Sequence, residues 1–323
     1  MLQSAPRIVI PDDAPPVMAP SEAYRKLLER VQVDYHDTLP GTEERLIERI
    51  AGAEIVINIR SSSRFTANLL QQSPNLRLLS LWGTGTDNVD LEAAARHGVT
   101  VTNTPGVSAA SVAEHAFALL LATARRIPHL DSDVRQGRWP RGQVSQMHGK
   151  TLGIVGLGAV GRHFARLGTG GGMRVIAWTM HPDPALGCEL VTLDDLLRSS
   201  DVVSLHLRLS EETRGFIGKR EFEKMKPGAI LINTARGAIV DEQAMIEVLS
   251  QGRIAGAGLD VFETEPLPSG HPLTRLENVV LTPHCAGVTP EALEAGLRLS
   301  IENVWSFLEG RPANIVVTGD GVR

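Results

Sequence analysis

Three side chains of complementary chemistry each follow a stretch that is typical of a buried strand. Arg236 comes directly after one apolar run, Glu265 lies just past a second and His284 just past a third. Because the carboxyl ends of parallel strands face the ligand crevice of an open sheet, we expect all three to gather there. Singly, each has an ordinary explanation: a solvated arginine, an acid in a loop, a structural histidine. The set on one crevice edge favours a functional site.

These residue types suit the reduction of a 2-keto acid, which needs a hydride at the carbonyl carbon and a proton at its oxygen. Histidine titrates near neutral pH, so His284 can give that proton and take it back. Glu265 beside it would favour the imidazolium and fix the ring. Arg236 can clamp the substrate carboxylate at two points and polarise the adjacent carbonyl. A nicotinamide cofactor would carry the hydride.

A glycine fingerprint offers a place for such a cofactor. Residues 150–161 read KTLGIVGLGAVG, a buried strand that runs into G-x-G-x-x-G at Gly156, Gly158 and Gly161, with a helical pattern after it. The first glycine permits a tight turn, the second lets the backbone approach a pyrophosphate and the third lets the helix pack close to the strand. The pyrophosphate would sit at the positive end of that helix. This context predicts dinucleotide binding.

Strands and helices alternate on both sides of the fingerprint, which predicts an α/β protein with two Rossmann-like, doubly wound parallel-sheet domains. Because the fingerprint lies mid-chain, we expect a dinucleotide-binding domain at 101–288, inserted into a substrate (catalytic) domain made of 1–100 and 289–323. The predicted strands are 7–10, 55–59, 76–81, 99–102, 174–178, 202–205, 229–233, 254–260 and 279–281. The predicted helices are 21–30, 66–71, 91–97, 108–126, 193–198, 221–224, 241–250 and 290–308.

The predicted helix over about 108–126 is apolar on nearly every side. A helix of this kind must be buried on several faces, so we expect it to pack in a two-fold homodimer. The proline-rich segment 11–20 is typical of a surface loop.

Bulk composition narrows the functional classes. The length of 323 residues is enough for two domains. The chain is 42% hydrophobic and 21% charged with a net charge of −5, and nothing in it is basic enough to suggest a nucleic-acid partner. Apolar stretches such as 116–122 are too short to cross a membrane, and the first residues lack a signal-peptide pattern. Cys188 and Cys285 support neither a disulfide framework nor a metal-ligand spacing. We therefore expect a cytoplasmic protein with no metal site and no membrane partner.

The chain resembles the D-isomer-specific 2-hydroxyacid dehydrogenases along nearly its whole length. The matching segments are the glycine fingerprint and residues 82–90 (WGTGTDNVD), 103–115 (NTPGVSAASVAEH), 206–218, 233–241, 258–266 and 282–287. By this resemblance, Arg236, Glu265 and His284 match the catalytic trio of the family. The implied activity is hydride transfer between NAD or NADP and a small D-2-hydroxy acid or 2-keto acid. Glyoxylate, hydroxypyruvate, phosphoglycerate and bulkier keto acids all remain open as substrates.

The resemblance also implies which residues hold the ligands. Asp260 would hold the carboxamide of the nicotinamide, and Trp139 matches a position near the dimer contact of relatives. The residues expected at the substrate carboxylate are Arg60, Ser61, Ser62, Thr84 and Gly85. The other expected cofactor contacts are Gly156, Gly158, Ala159, Val160, Gly161, Thr179, Arg208, Thr234, Ala235 and Gly287.

Two departures from the family pattern leave the choice between NAD and NADP open. Relatives that prefer NAD have an acid where Thr179 stands, which holds the ribose 2′-hydroxyl. Without that carboxylate a 2′-phosphate is not repelled. Arg208 replaces a proline of many relatives, and it either contacts the 2′-phosphate or adenine or lies on the solvent-exposed rim.

A second functional class fits the same fold. An NAD(H)-sensing binding protein, like the corepressors that resemble this family, would need the dinucleotide site but no chemistry. The presence of all three catalytic residue types favours the enzyme.

Overall fold

A computed structural model of the chain describes residues 6–182 and 187–319. The chain divides into two compact units, which we call unit 1 (Met1–Ser108 with Thr289–Arg323) and unit 2 (Ala109–Val288). The predicted start of the second domain, residue 101, falls inside a strand that pairs in the sheet of unit 1.

Within the described residues the strands and helices have the following bounds. The strands are β1 (Ile8–Ile10), β2 (Val33–Tyr35), β3 (Ile55–Asn58), β4 (Leu78–Leu81), β5 (Thr100–Thr102), β6 (Thr151–Val155), β7 (Arg174–Trp178), β8 (Glu189–Leu190), β9 (Val202–Leu205), β10 (Ile230–Asn233), β11 (Gly256–Leu259), β12 (Val279–Leu281) and β13 (Ile315–Val317). The helices are α1 (Glu22–Leu28), α2 (Glu43–Ile50), α3 (Ala67–Gln71), α4 (Leu91–Arg96), α5 (Ala109–Ala124), α6 (Ile127–Arg135), α7 (Ala159–Gly170), α8 (Leu193–Ser199), α9 (Lys219–Lys224), α10 (Glu242–Ser250) and α11 (Pro290–Leu308).

The sheet of unit 1 has the strand order β13-β5-β4-β3-β1-β2. Its neighbouring strands are parallel except for β13, which runs antiparallel to β5. The strands β3 and β4 are buried along their whole length, as expected for apolar runs that helices cover on both faces. Helix α11 packs over β3 and β4 and against α1. The predicted doubly wound sheet is confirmed, with one antiparallel edge strand that was not predicted.

The sheet of unit 2 is parallel throughout, in the order β12-β11-β10-β9-β6-β7-β8. The chain enters at β6, winds outward through β7 and β8, and then returns to β9 on the other side of β6. The strand order therefore reverses between β6 and β9, which is where a doubly wound sheet opens its ligand crevice. Helix α5 packs on β10, β11 and α7.

Two local expectations need correction. The helix predicted over 108–126 ends as α5 at Ala124, and a further helix, α6, follows it. The segment 11–20 is not wholly a surface loop, because Asp12, Asp13 and Met18 are fully buried. The two carboxylates can be buried because main-chain and side-chain donors surround them, as described below. Among the described residues, every helix is too short or too polar to cross a membrane.

Candidate active site

The glycine loop between β6 and α7 has the backbone shape that its sequence predicts. Gly156 has a φ of +99°, and a Cβ there would lie 2.7 Å from the carbonyl oxygen of His206. A Cβ at Gly161 would collide with the carbonyl oxygen of Gly156. The first and third glycines are therefore required by the fold itself. His206 lies behind this loop, where burial lowers the pKa of its imidazole to about 3, so it stays neutral.

The second glycine of the loop faces open space. Gly158 is the N-cap of α7 and offers no side-chain cap, whereas Thr192 and Asp241 cap their helices with side-chain oxygens. A Cβ at Gly158 would meet no heavy atom within 4 Å. The first N–H groups of α7 are thus available to an anion at the positive end of the helix dipole.

Other expected cofactor residues surround the same sheet edge. Ala159 and Val160 form the first turn of α7. Thr234 and Ala235 follow β10, where the Thr234 hydroxyl is buried with no hydrogen-bond partner among the described residues. A bound ligand can satisfy such a hydroxyl, so this region fits a dinucleotide. Gly287 follows β12, in a turn that the Val288 N–H closes on the Cys285 carbonyl at 2.9 Å.

The catalytic candidates follow three adjacent strands. Arg236 comes after β10, Glu265 after β11 and His284 after β12. His284 Nδ1 lies 2.7 Å from Glu265 Oε2, and the two side chains are 41% and 34% exposed. The pair is therefore formed, oriented and still open to a ligand.

Glu265 is held in its charged form. Partial burial alone would raise the pKa of its carboxyl, but the hydrogen bonds from His284 and from the Phe262 N–H, with the charges of His284 and Arg236, outweigh burial and lower the pKa below 4.5. The Phe262 N–H donates to Glu265 Oε1 at 2.9 Å, so the two oxygens have separate partners. Glu265 therefore stays ionised at neutral pH.

The loop of Arg236 is fixed by its neighbours. Asn233 accepts the Ala235 N–H at 3.0 Å and donates to the Arg236 carbonyl at 2.9 Å. A Cβ at Gly237 would collide with the main chain of Phe262, so only glycine allows this loop to lie against the loop that carries Glu265. The guanidinium donates from Nη1 to the Ala235 carbonyl at 2.8 Å.

Asp260 organises the turn that carries His284. Its carboxylate is fully buried and accepts the Thr282 hydroxyl at 2.6 Å, the Cys285 N–H at 3.0 Å and the Ala286 N–H at 2.9 Å. Its main-chain oxygen accepts the His284 N–H at 2.8 Å. Burial acts to raise the pKa of this carboxyl, but these donors together with His115 lower it overall. Asp260 therefore binds the turn that follows β12, a role that the sequence did not predict.

The sequence reasoning also missed His115. Its Nε2 atom lies 2.9 Å from Thr282 Oγ1, from a position on α5. A polar ring on an otherwise apolar helix face was the signal that could have found it. Among the described residues, His115, Asp260 and Cys285 bring potential metal-ligand atoms within 4.8 Å of one another, but Thr282 already links the first two by hydrogen bonds. The absence of a metal site stays a prediction.

The structure separates the two residues that bear on the 2′ position. Thr179 follows β7 and accepts a weak hydrogen bond from the His181 N–H at 3.4 Å. Arg208 follows β9 and is exposed, with β6 between the two strands. Beside Thr179 opens a cavity of about 610 Å³ that Asp195 also lines. This carboxylate, which the sequence reasoning did not consider, is near the position where the acid of NAD-preferring relatives is missing.

The expected substrate residues lie in unit 1. Ser61, Ser62 and Thr84 are exposed, and Gly85 is partly exposed. The Arg60 side chain, in contrast, is only 18% exposed. Its guanidinium donates to the Pro15 carbonyl and lies 3.8 Å from Asp13 Oδ1, and its Nε atom is buried. The Arg60 side chain is thus directed into unit 1, away from solvent.

Comparisons with known proteins agree with this geometry. Residues 117–286 match the family described as "D-isomer specific 2-hydroxyacid dehydrogenase, NAD binding domain". The chain is 40% identical over 309 residues to a glyoxylate reductase of Korarchaeum cryptofilum, covering 92% of this chain and 93% of that protein. It is 41% identical over 283 residues to a D-3-phosphoglycerate dehydrogenase of Archaeoglobus fulgidus, covering 85% of this chain and 53% of that one. Among solved structures, an acyclic imino acid reductase (Bsp5) in complex with NADPH and D-Arg has a TM-score of 0.89 at 32% identity, covering 96% of this chain and 100% of that chain.

Proposed function

Because this chain belongs to the D-isomer-specific 2-hydroxyacid dehydrogenase family, we propose that His284, Glu265 and Arg236 carry out its NAD(P)-dependent interconversion of 2-keto acids and D-2-hydroxy acids. The observation that carries this assignment is the 2.7 Å contact between His284 Nδ1 and Glu265 Oε2 at the end of the sheet of unit 2. The NAD(H)-sensing alternative is not favoured, since the matched relatives carry the names of reductases and dehydrogenases.

The pairing decides which nitrogen of His284 acts on the substrate. Because Nδ1 is held by Glu265, Nε2 is the atom left to meet the substrate oxygen. In reduction, the imidazolium gives its Nε2 proton to the carbonyl oxygen and becomes the neutral imidazole, with Nδ1–H still donated to Glu265. In oxidation, neutral Nε2 takes the proton from the hydroxyl. Glu265 stays ionised in both directions and stabilises the charged ring.

Arg236 would orient the substrate. A guanidinium can bind a carboxylate through two parallel N–H bonds and place a positive charge next to the keto oxygen, where negative charge develops as hydride arrives. When bound, the nicotinamide supplies that hydride. The fixed loop of Arg236 lowers the cost of holding this geometry.

The cofactor pyrophosphate would bind at the N–H groups of Ala159 and Val160, over the open face of Gly158. Thr179 leaves no carboxylate of its own to repel a 2′-phosphate, so we propose that NADPH is accepted as well as NADH. We propose that Arg208 contacts the 2′-phosphate. Arg208→Ala should then weaken the binding of NADPH by about 1.5–3 kcal/mol and the binding of NADH much less.

The substrate is proposed to be a small 2-keto acid such as glyoxylate or hydroxypyruvate. Residues 61–63 are three serines, small and polar, where a phosphate-binding relative would have an extra cation. The Arg60 guanidinium is engaged by Pro15 and Asp13, so it is a poor candidate for a second phosphate charge. The main chain at Arg60, together with Ser61, Ser62, Thr84 and Gly85, remains the proposed contact of the substrate carboxylate.

Steady-state rates test the substrate assignment. Glyoxylate, hydroxypyruvate, phenylpyruvate and 3-phosphohydroxypyruvate are each reduced with NADH and with NADPH, and His284→Ala serves as the control for adventitious reduction. We expect kcat/KM to be highest for glyoxylate or hydroxypyruvate. A clear preference for the phosphorylated acid would contradict the substrate proposal but not the catalytic trio.

We further propose a homodimer that uses the end of α5 and the segment after it. Five of the large hydrophobic side chains that the described residues expose fall between residues 121 and 144: Leu121, Ile127, Val134, Trp139 and Val144. A monomer would leave them in water. Sedimentation at low micromolar concentration should give twice the chain mass, and the double variant L121D/W139A should give the monomer.

A cytoplasmic location without a nucleic-acid partner is proposed on the acidic composition and the free thiols of Cys188 and Cys285, and cell fractionation tests the location.

A further inference from the structure

Helix α5 lies along strand β11 in a regular register. A Cβ at Gly256 would lie 3.0 Å from Thr123 Cγ2, and a Cβ at Gly258 would lie 2.9 Å from Leu119 Cβ. Four helical residues advance about 6 Å and two strand residues about 6.6 Å, so the two elements stay in step. One turn nearer the N-terminus of the helix, the same register pairs His115 with Asp260. The Nε2 atom of His115 lies 3.5 Å from the Oδ1 atom of Asp260.

The glycines of β11 make this contact possible. A side chain at Gly256 or Gly258 would push the helix away, and the imidazole would no longer reach the end of the strand. His115 and Glu114 are the only ionisable residues of α5. The ring is 24% exposed, so it is a polar group set into a mostly apolar face.

Hydrogen-bond counting fixes the direction of the contact with Thr282. The hydroxyl has one hydrogen, and it goes to Asp260 Oδ1 at 2.6 Å, since an ionised carboxylate can only accept. Thr282 Oγ1 must then accept from His115 Nε2 at 2.9 Å. His115 is therefore a donor at Nε2, and it holds the hydroxyl in the rotamer that binds Asp260.

Asp260 in turn holds the turn of His284. The N–H groups of His284, Cys285 and Ala286 all point at its main-chain or side-chain oxygens. His284 has a φ of +50°, a left-handed conformation that a non-glycine residue adopts only when its surroundings impose it. The chain of contacts from α5 to the catalytic ring is thus His115, Thr282, Asp260 and the turn.

We propose that His115 is a positioning residue for the reaction: through Thr282 and Asp260 it fixes the backbone turn that aims His284 at the substrate oxygen. This inference rests on the proposed role of His284. Loss of the Nε2 donor frees the Thr282 hydroxyl and loosens the Asp260 turn. Because proton transfer needs a near-attack geometry, a small displacement of the ring slows turnover without changing what binds.

A matched pair of variants tests the donor. His115→Gln and His115→Met have side chains of the same length, but only glutamine keeps an N–H at the place of Nε2. We expect kcat for glyoxylate reduction to fall tenfold or more in H115M and to stay within threefold of the parent in H115Q. The KM for glyoxylate and the Kd for NADPH should stay within twofold in both. His97→Gln, an exposed histidine of unit 1, is the control and should leave kcat unchanged.

A double variant tests the route. Thr282→Val removes the hydroxyl through which His115 acts, so H115M/T282V should be no slower than the slower single variant. Thermal melting of each variant separates fold from positioning. Equal kcat in H115M and H115Q, or multiplicative losses in the double variant, would overturn the proposal. Turnover equal to that of the parent in His284→Ala would contradict the proposed function itself. Turnover equal to that of the parent in H115M alone would contradict only the positioning role of His115.

Discussion

Each of the two sheets opens a crevice at the equivalent place in its topology, but the two crevices have different roles. In unit 1 the strand order reverses between β1 and β3, and in unit 2 it reverses between β6 and β9. Each reversal is the place where a doubly wound sheet opens outside the carboxyl ends of its strands. In unit 2 that place has glycines and unused N–H groups, whereas in unit 1 it is filled by two buried carboxylates.

The two carboxylates of unit 1 accept hydrogen bonds from the surrounding protein. Asp12 accepts the N–H groups of Ile59 at 2.9 Å and Arg60 at 3.2 Å, and the Asn58 amide donates to it as well. Asp13 accepts the Tyr35 hydroxyl at 2.8 Å and the N–H groups of the loop after it. The crevice of unit 1 therefore stabilises the loop 58–63.

The difference lies in the residues that follow the first strand of each sheet. Gly156 and Gly158 leave the helix N-terminus open, whereas Asp12 and Asp13 bring negative charge into the equivalent place. Topology fixes where a crevice can form, and these few side chains decide whether it admits a dinucleotide or supports a loop. Variants in each unit test this difference.

The largest effect is expected from removing the proton donor of unit 2. His284→Ala should lower kcat for keto-acid reduction by roughly two to four orders of magnitude, because it removes the imidazole that Glu265 holds at Nδ1 and that we propose as the proton donor. The Kd for NADPH, from fluorescence titration, should be unchanged. Turnover near that of the parent in a folded His284→Ala protein would remove the trio assignment.

A methyl group on the open glycine should act on the cofactor alone. Gly158→Ala has room in the protein, so its melting temperature should match the parent, but the methyl occupies the space that a pyrophosphate would approach. Overpacking of this kind costs about 1–3 kcal/mol, or roughly 5- to 150-fold in the Kd for NADPH. Gly170→Ala, at the other end of α7 and equally unobstructed, is the control. Equal Kd values for both variants would place the cofactor elsewhere.

The filled crevice of unit 1 predicts a stability effect instead. Asp12→Asn puts an amide donor against the donors of Asn58 and Arg60, at a cost of about 1–3 kcal/mol. Burial raises the pKa of Asp12 above 3.8 despite its hydrogen bonds. The free energy of unfolding that the Asp12 carboxyl contributes is then fully present below pH 3.8 and is lost as the pH rises through the raised pKa of the folded state.

The difference in the free energy of unfolding between the parent and Asp12→Asn should therefore narrow as pH rises from about 4. Urea unfolding at several pH values measures this difference. The Kd for NADPH should not move. Weaker NADPH binding with an unchanged free energy of unfolding would contradict the conclusion that the crevice of unit 1 supports a loop.

The smallest effect concerns the cofactor 2′ position. Thr179→Asp should lower kcat/KM with NADPH relative to NADH by roughly tenfold, about 1.4 kcal/mol, because the new carboxylate repels the phosphate and can hold the 2′-hydroxyl. Asp195→Asn, on the wall of the same cavity, should act in the opposite direction. A parent enzyme that uses NADH tightly and ignores NADPH would show that something other than Thr179 sets the cofactor preference.

The sequence was most informative where side chains act locally. Apolar runs such as Val202–Leu205 form the strands they predict, because a strand covered on both faces consists mostly of apolar residues. The edge strand β2, with the sequence VDY, and the charged helix α2 were missed, since neither has such a run. The antiparallel β13 depends on a return of the chain that no local pattern encodes.

The site divides in the same way. Arg236, Glu265 and His284 could be predicted because each follows its own strand and strand ends converge. Asp12 was expected in a surface loop, since its partners at Ile59 and Arg60 lie far along the chain. His115 went unnoticed because its role appears only when α5 is laid against β11, a register set by two glycines.

The pH dependence of kcat/KM for glyoxylate reduction, in the parent and in Glu265→Gln, tests most directly that the His284–Glu265 pair moves the proton. His284 and the Phe262 N–H help to hold the pKa of Glu265 below its usual value despite burial, so its charge is present across the working range and favours the imidazolium. Without that charge, the fall of reduction activity with rising pH should begin at lower pH than in the parent. Superimposable profiles for the two enzymes would contradict the account.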